Sequence, residues 1–496
     1  MTLPSLSRAH FTGFASFRRT LAQVVAGEAS ASMIARNLHG TLHHVASTKV
    51  LARVLRSGMP VLLLACGGAG VSDGANPGET PTGPPTTGTV QRTSLSVRVQ
   101  IDPADAALAN AAGVGVAGLT VRLTRAGDQT APRTAVTDAS GAVQFDALLD
   151  GMYTASVERT LTPGELDRLP PNDRDAGIFA GGSTVPVSPP ATPSTVVSLV
   201  AARRGSVVIS EVFDFTGTGP VYNWAHYVEL YNNSDTTVYL DGMLLAFTST
   251  NLHTAGFAPC NDASFAPYRA DPNNIWAESG IRFPGGGRDH PVLPGQALVY
   301  AQDALDHSLA AGSGSYPNLA GAQFEHVGTP ADTDNPISAN VLPIFATGTG
   351  AGGRGLRVTV PTSIALVKAP GYSPLDTVAL LPVTPTPIGG LPRSPRTFWR
   401  VPRRDIIDLV SLDYSAAHKA YLATTTFRYV VCQPWLPSIF EQAEAEIADY
   451  RFPGGMRRRS LGVSATGREI LMRTRTSARD WERTSDLLRR SLNRER

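Results

Sequence analysis

The stretch YVELYNNSDTTVYLDG, Tyr227–Gly242, decides the fold. Two runs of alternating side chains flank a polar quartet, Asn232, Asn233, Ser234 and Asp235. Alternation with period two is the mark of a strand, and Asn, Ser and Asp are residues that turn a chain because their short side chains bond nearby backbone. The stretch therefore reads as strand, turn, strand, with Leu230, Val238 and Leu240 supplying the core of a sandwich. Asn232-Asn233-Ser234 also spells a glycosylation acceptor.

Outward from this hairpin, VVISEV, TVYLDGMLLAF and PVLPGQALVYAQDA continue as short strands separated by turn residues, and no convincing long helix precedes about residue 437. Upstream, SLSVRVQI, GLTVRLTR, TASVERT and VVSLVAA alternate in the same way. PPNDRDAGIFAGGSTVPVSPPATPST, with its many Pro and Gly, reads as a long loop between them. The whole is expected to be all-β, two β-sandwich domains in series over residues 94–202 and 203–481, with a short C-terminal helix in RDWERTSDLLRRSLNRER and a basic tail at 482–496. The 496 residues include 47 Gly and 38 Pro, which suits strands and turns, and no run of eighteen apolar residues spans a membrane.

Net charge is +2, but it is unevenly placed: from Arg451 to Arg496 thirteen Arg meet five acids, which leaves the rest of the chain negative. An acidic body with a basic end suits a polyanion, a phosphate-rich surface or an acidic partner, and equally a solvated terminal helix. Base-stacking aromatics are not interleaved with this charge, so nucleic acid is not an expected partner.

Cysteine occurs at Cys66, Cys260 and Cys432. Leu63-Leu64-Ala65-Cys66 follows a short apolar run preceded by Lys49, Arg53 and Arg56, the order of a secretory signal. It resembles a bacterial lipoprotein box, which implies that residues 1–65 are a signal region whose start is placed too early and that Cys66 carries the lipid. Residues 66–93 are rich in Gly, Pro, Thr and Ser and form a tether that cannot pack a core. The expected location is a bacterial outer membrane or cell surface, where glycosylation of Asn232 has no place. That compartment permits a disulfide, for which Cys260 and Cys432 remain; two free buried thiols are the alternative.

Residues 94–202 resemble the prealbumin-like, carboxypeptidase regulatory-like module. An Ile-Ser-Glu strand, then Tyr-Val-Glu-Leu-Tyr-Asn, a polar turn and a Leu-Asp-Gly step resemble the lamin-tail fold, an immunoglobulin-like sandwich. Leu293-Pro294-Gly295-Gln296-Ala297-Leu298-Val299, Ile406–Val410, Arg459-Ser460-Leu461 and TSARDW resemble its later segments. With AQDALDH and FEHVGTPADTDNPISANVLPIF, most of residues 90–481 is similar to a family of bacterial surface lipoproteins that pair these two sandwiches. The resemblance implies work beside an outer-membrane nutrient receptor and assigns no activity.

Catalytic motifs fail on context. GTGAGG at Gly348–Gly353 lacks the following helix of a dinucleotide site, and GVSDG at Gly70–Gly74 lies in the tether rather than on a strained elbow. The histidines lack zinc-ligand spacing. Asp332, Asp334 and Asn335 could supply oxygen ligands to Ca²⁺, or form an Asx turn capped by Pro336. No other cofactor is expected. Tyr222, Trp224 and His226, with Tyr227 and Tyr231, could line a ligand cleft, or pack as core. The expectation is a binding or accessory component and not an enzyme. The alternatives are a surface hydrolase using Asp332 or Asp334, and a purely structural or adhesive protein.

Overall fold

The computed structural model describes residues 91–203 except 129, 205–213, 224–247, 251–252, 271–309 except 278, 316–326, 334–346, 362–368, 381–383, 396–417, 420, 430–431, 440, 445–447 and 454–492. The expected signal region, most of the expected tether, Cys66, Cys260, Cys432, Tyr222, Asp332 and the glycines 348–353 lie outside these. Among the described residues no helix is long and apolar enough to cross a membrane. Strands dominate, as the alternating pattern requires.

Seven strands form the first sheet: β1 Thr93–Ile101, β2 Thr120–Arg125, β3 Arg133–Val136, β4 Ala142–Leu148, β5 Gly151–Thr160, β6 Ile178–Val187 and β7 Ser194–Ala202, in the order β3-β2-β5-β6-β7-β1-β4. β1 and β7 run parallel, and the other neighbours antiparallel. Alternate residues point to one face of a strand. Leu95, Val97 and Val99, Val121 and Leu123, Ala155 and Val157, and Val197 and Leu199 accordingly meet in one buried core.

β6 corrects the expected loop. It pairs with β5 along ten successive positions from Ile178 to Val187, in the middle of the sheet. Gly181 and Gly182 hide it from sequence because they break the alternation, and the structure shows why they are there. A Cβ on Gly181 would lie 2.2 Å from the Ser198 carbonyl oxygen, and one on Gly182 would lie 2.8 Å from the Gly462 Cα. A separate two-stranded hairpin that carries Gly462 touches the first sheet at this point.

The second sheet has twelve strands, in the order Ala445–Ile447, Ile406–Tyr414, Thr362–Val367, Leu244–Phe247, Ser279–Arg282, Ala339–Ala346, Phe324–His326, Ala297–Ala301, β9 (Tyr227–Asn232), β8 (Val207–Phe213), Gly455–Arg458 and Trp481–Thr484. Every residue of β8 and β9 is buried, because both faces of the pair are covered. Ile209, Val212, Val228 and Leu230 enter the large core. Phe213 and Tyr227 face the other way, where Leu488 and the partly buried Leu487 and Leu492 cover them. The expected helix is confined to Ser477–Asp480, and Trp481–Thr484 is strand. The supposed tail packs through Leu492 because its leucines are needed as a cover.

The hairpin of Ser460–Val463 and Glu469–Leu471 joins the two sheets. Leu461, Ile470 and Met472 share an apolar cluster with Ile178, Ala180, Val200 and Ala202 of β6 and β7. Around it, Ser156 Oγ donates to the Val463 carbonyl at 3.1 Å and Arg479 pairs with Asp105 at 2.6 Å. Filling the glycine contact should open this seam. Gly182→Val is expected to lower stability by about 1–3 kcal/mol, the usual cost of overpacking; an unchanged midpoint in urea unfolding would show that the backbones do not meet there.

Candidate polar groove at the end of the second sheet

The polar quartet that follows β9 does more than turn the chain. Asn232 Nδ2 donates to the carbonyls of Thr236 and Val292, both at 2.7 Å, and its Oδ1 accepts from the Ser234 N–H at 3.0 Å, an Asx turn. Asn233 is buried and faces the hairpin: its Oδ1 accepts from the Leu471 N–H at 3.0 Å and from Arg468 Nη1 at 3.1 Å. Asp235 Oδ1 accepts from Arg468 Nε and Nη2 at 3.3 and 3.2 Å. Three contacts from one turn thus fix a guanidinium that sequence placed more than two hundred residues away. Asp241 of the Leu-Asp-Gly step takes backbone N–H bonds from Gly287, Asp289 and His290 at 2.8–3.0 Å, which holds the neighbouring loop.

Arg468 forms part of the wall of a groove of about 770 Å³, together with Tyr231, Gly295, Glu469, Arg489 and Arg490. Gly295 has φ +74 and passes close to Arg468, so a left-handed turn without a side chain shapes the rim. Tyr231 Oη donates to the Glu469 carbonyl at 2.8 Å. Arg490 grips the Glu469 carboxylate with Nε at 2.7 Å and Nη2 at 3.1 Å. Burial pushes the Glu469 carboxyl up, but these bonds and the charge of Arg490 outweigh it and hold it below the usual range. Arg489 is exposed and has no ion pair among the described residues. A fixed wall and one exposed cation at the rim suit the capture of a polar ligand bearing a negative group.

Beneath the terminal segment lies a sealed pair of acids. A bulge between Ile209 and Glu211 sets Glu211 directly opposite Glu229, so both side chains share one face, and both are fully buried. Glu229 accepts from Ser210 Oγ at 2.7 Å and Ser491 Oγ at 2.6 Å. Glu211 Oε1 accepts from Tyr227 Oη and from the Leu488 N–H, and Oε2 has no hydrogen-bond partner among the described residues. Burial and the neighbouring Glu229 push the Glu211 carboxyl up to about 7, and burial also raises Glu229. Neither acid is placed to reach a substrate, and the sequence signal that located them was the resemblance of the two strands, not any catalytic motif.

The other expected site residues that the structure describes do not line the groove. His226 is buried and its carbonyl accepts from the Gln302 N–H at 2.8 Å, while Trp224 is half-buried. The aromatic cleft therefore does not present His226 to solvent. Asp334 is exposed and accepts from Asn340 Nδ2 at 3.0 Å. Asn335 donates to the carbonyls of Ala304 and Ala320 and accepts from the Ile337 N–H at 3.2 Å, which commits its amide to the backbone. No group of three His, Cys, Asp or Glu side chains among the described residues is arranged to hold a metal ion. The groove escaped notice because its arginines sit in a basic segment with no recognisable spacing.

The raised Glu211 makes a signed prediction. Between its ordinary value of 4.5 and about 7, the native protein holds a proton that the unfolded chain has lost, so this carboxyl withdraws stability as pH rises through that window. Glu211→Gln keeps the oxygen acceptor and removes the titration. Its stability relative to wild type should therefore climb between pH 5 and 8, by on the order of 3 kcal/mol. Urea unfolding across that range measures it, and a difference independent of pH would refute the assignment.

No protein-family model matches the chain, and no curated protein matches it. Among solved structures it is similar to a DUF4876 family protein from Bacteroides thetaiotaomicron, at 16% identity and a TM-score of 0.44, over 80% of this chain and 97% of that one. Two DUF3823 family proteins are also similar. The one from Parabacteroides merdae has 12% identity and a TM-score of 0.15 over 42% of this chain and 79% of that one. The one from Bacteroides uniformis has 14% identity and a TM-score of 0.14 over 63% and 99%.

Proposed function

We propose that the protein is a lipid-anchored binding component of a bacterial envelope, which captures a polar, negatively charged ligand in the groove beside Arg468 and presents it to a membrane receptor. The groove carries this reading. Its volume of about 770 Å³ lies in the range of small-molecule sites, and its wall is held by Asn233 and Asp235 before any ligand arrives. Preorganisation of this kind favours affinity because little side-chain freedom is lost on binding. Hydrolysis has less support: among the described residues the carboxyls that burial pushes up, Glu211, Glu229, Glu325 and Asp480, are all buried, and Asp334 stands exposed. Cys66 would carry the lipid, and residues 66–93 would give the body reach from the surface.

Two measurements test this. An array of acidic and neutral oligosaccharides and of peptides with free carboxyl termini should retain the protein at acidic members. Arg489→Ala should weaken that retention at least tenfold without altering the unfolding midpoint. Retention of nothing, or equal retention by the variant, would remove the groove from the function. Cys66→Ala should move the protein from the membrane fraction to the soluble one, and unchanged fractionation would refute the anchor.

A further inference from the structure

A second cation cluster lies at the seam of the two sheets, away from the groove. Arg203 follows β7, Arg403 precedes the strand Ile406–Tyr414, and Arg473 and Arg475 follow the strand Glu469–Leu471. These four side chains and the carboxylates of Asp175, Asp408 and Asp480 surround a cavity of about 120 Å³. The carboxylates are already engaged. Asp408 holds Arg473 at 2.8 Å and Arg458 at 2.7 Å, and Asp480 faces Arg458 at 3.3 Å. Asp175 holds Arg203 at 2.6 Å, and Asp173 is shared between Arg475 at 2.5 Å and Arg203 at 3.8 Å. Arg403 has no carboxylate within ion-pair distance among the described residues, and its guanidinium lies over the Phe440 ring at 5.7 Å. Five guanidinium groups thus share four carboxylates. Burial pushes the Asp480 carboxyl up, against the pull of Arg458 and the Thr474 hydrogen bonds.

Arg475 shows the imbalance most directly. Its Nε is buried without a hydrogen-bond partner among the described residues. Its backbone sits at φ +69, a left-handed conformation that costs a side-chain-bearing residue free energy. Burial and the positive charge of Arg203 lower its pKa, so the cation is held where its surroundings disfavour it. A buried donor left unmade is costly, and an arrangement that keeps one beside a cavity calls for an acceptor. The cavity exceeds the roughly 30 Å³ share of one water and falls well short of the roughly 300 Å³ of a site for a larger organic ligand. Guanidinium forks match the geometry of tetrahedral oxyanions.

We propose that this cavity binds a small tetrahedral oxyanion, inorganic phosphate or sulfate, between Arg203, Arg403, Arg473 and Arg475. Because Arg203 follows the first sheet, Arg403 precedes a strand of the second, and Arg473 and Arg475 follow the hairpin that joins them, the anion closes the seam between the two sheets. Phosphate and sulfate share the recognising chemistry, and their relative affinity separates the two sources.

The test is calorimetric titration of the whole chain with inorganic phosphate and with sulfate, accompanied by thermal unfolding at matched ionic strength in chloride. Saturable binding of one of them, with a rise in Tm that chloride does not reproduce, is expected. Arg475→Ala should weaken that binding at least tenfold. Arg403→Gln, which breaks no ion pair among the described residues, should weaken it severalfold. Absence of saturable binding, or an equal rise in chloride, would overturn the proposal. So would binding that survives both variants and is lost in Arg489→Ala, because the anion would then belong to the groove.

Discussion

Arg458 is the cation on which the arrangement of the second sheet rests. Its side chain is 1% exposed, and each donor is directed at a different segment: Nε to the Ile209 carbonyl at 2.8 Å, Nη1 to the Met472 carbonyl at 3.0 Å, Nη2 to Asp408 at 2.7 Å. The guanidinium also lies 5.0 Å over the Trp481 ring. Asp408 uses the same oxygen to accept the Ile209 N–H at 2.8 Å. A buried ion pair gains little over a hydrophobic pair, but breaking it costs about 3–5 kcal/mol because one charge is stranded. Its contribution is therefore to exclude other placements of the hairpin that follows Arg458. That hairpin brings Arg468 and Glu469 to the groove, Arg473 and Arg475 to the seam, and Leu461 and Met472 onto β6.

A second constraint follows from covering both faces of β8 and β9. A sheet with one wet face can leave its glutamates in water, whereas here the segment from Leu487 to Leu492 closes over them. The apolar gain from Leu488 and its neighbours is opposed by the burial of Glu211 and Glu229. The structure limits that cost by supplying Ser210, Ser491, Tyr227 and the Leu488 N–H as donors. Leu488 reaches its position with φ +59, so backbone strain is accepted to satisfy a carboxylate oxygen.

Sequence made the strands legible wherever one face was core and the other water. β1, β2 and β5 alternate, and the structure buries their alternate residues. The Asx turn after β9 was legible for the same local reason, since Asn232 bonds within four residues of itself in three of its contacts. What escaped sequence depends on partners far along the chain. β6 looked like a loop because Gly181 and Gly182 answer to Ser198 and Gly462 rather than to their own strand. Asn233 and Asp235 looked like turn residues because their partner, Arg468, arrives from another part of the fold. His226 looked available for a ligand because its burial is set by packing that no local pattern reports.

The charge asymmetry along the chain acquires a different meaning from this placement. A C-terminal segment with thirteen Arg and five acids suggests an external polyanion when read alone. In the fold, five of those cations face acids from elsewhere in the same chain: Arg458 and Arg473 meet Asp408, Arg468 meets Asp235, Arg475 meets Asp173, and Arg479 meets Asp102 and Asp105. For these five the acidic partner is the body itself, while Arg457, Arg459 and Arg490 pair with acids of their own segment. Opposite charges placed far apart in sequence steer the last strands to their docking site, and they penalise arrangements that would leave a buried charge alone. Arg489, which stands exposed without such a partner among the described residues, is the cation this internal pairing leaves at the mouth of the groove.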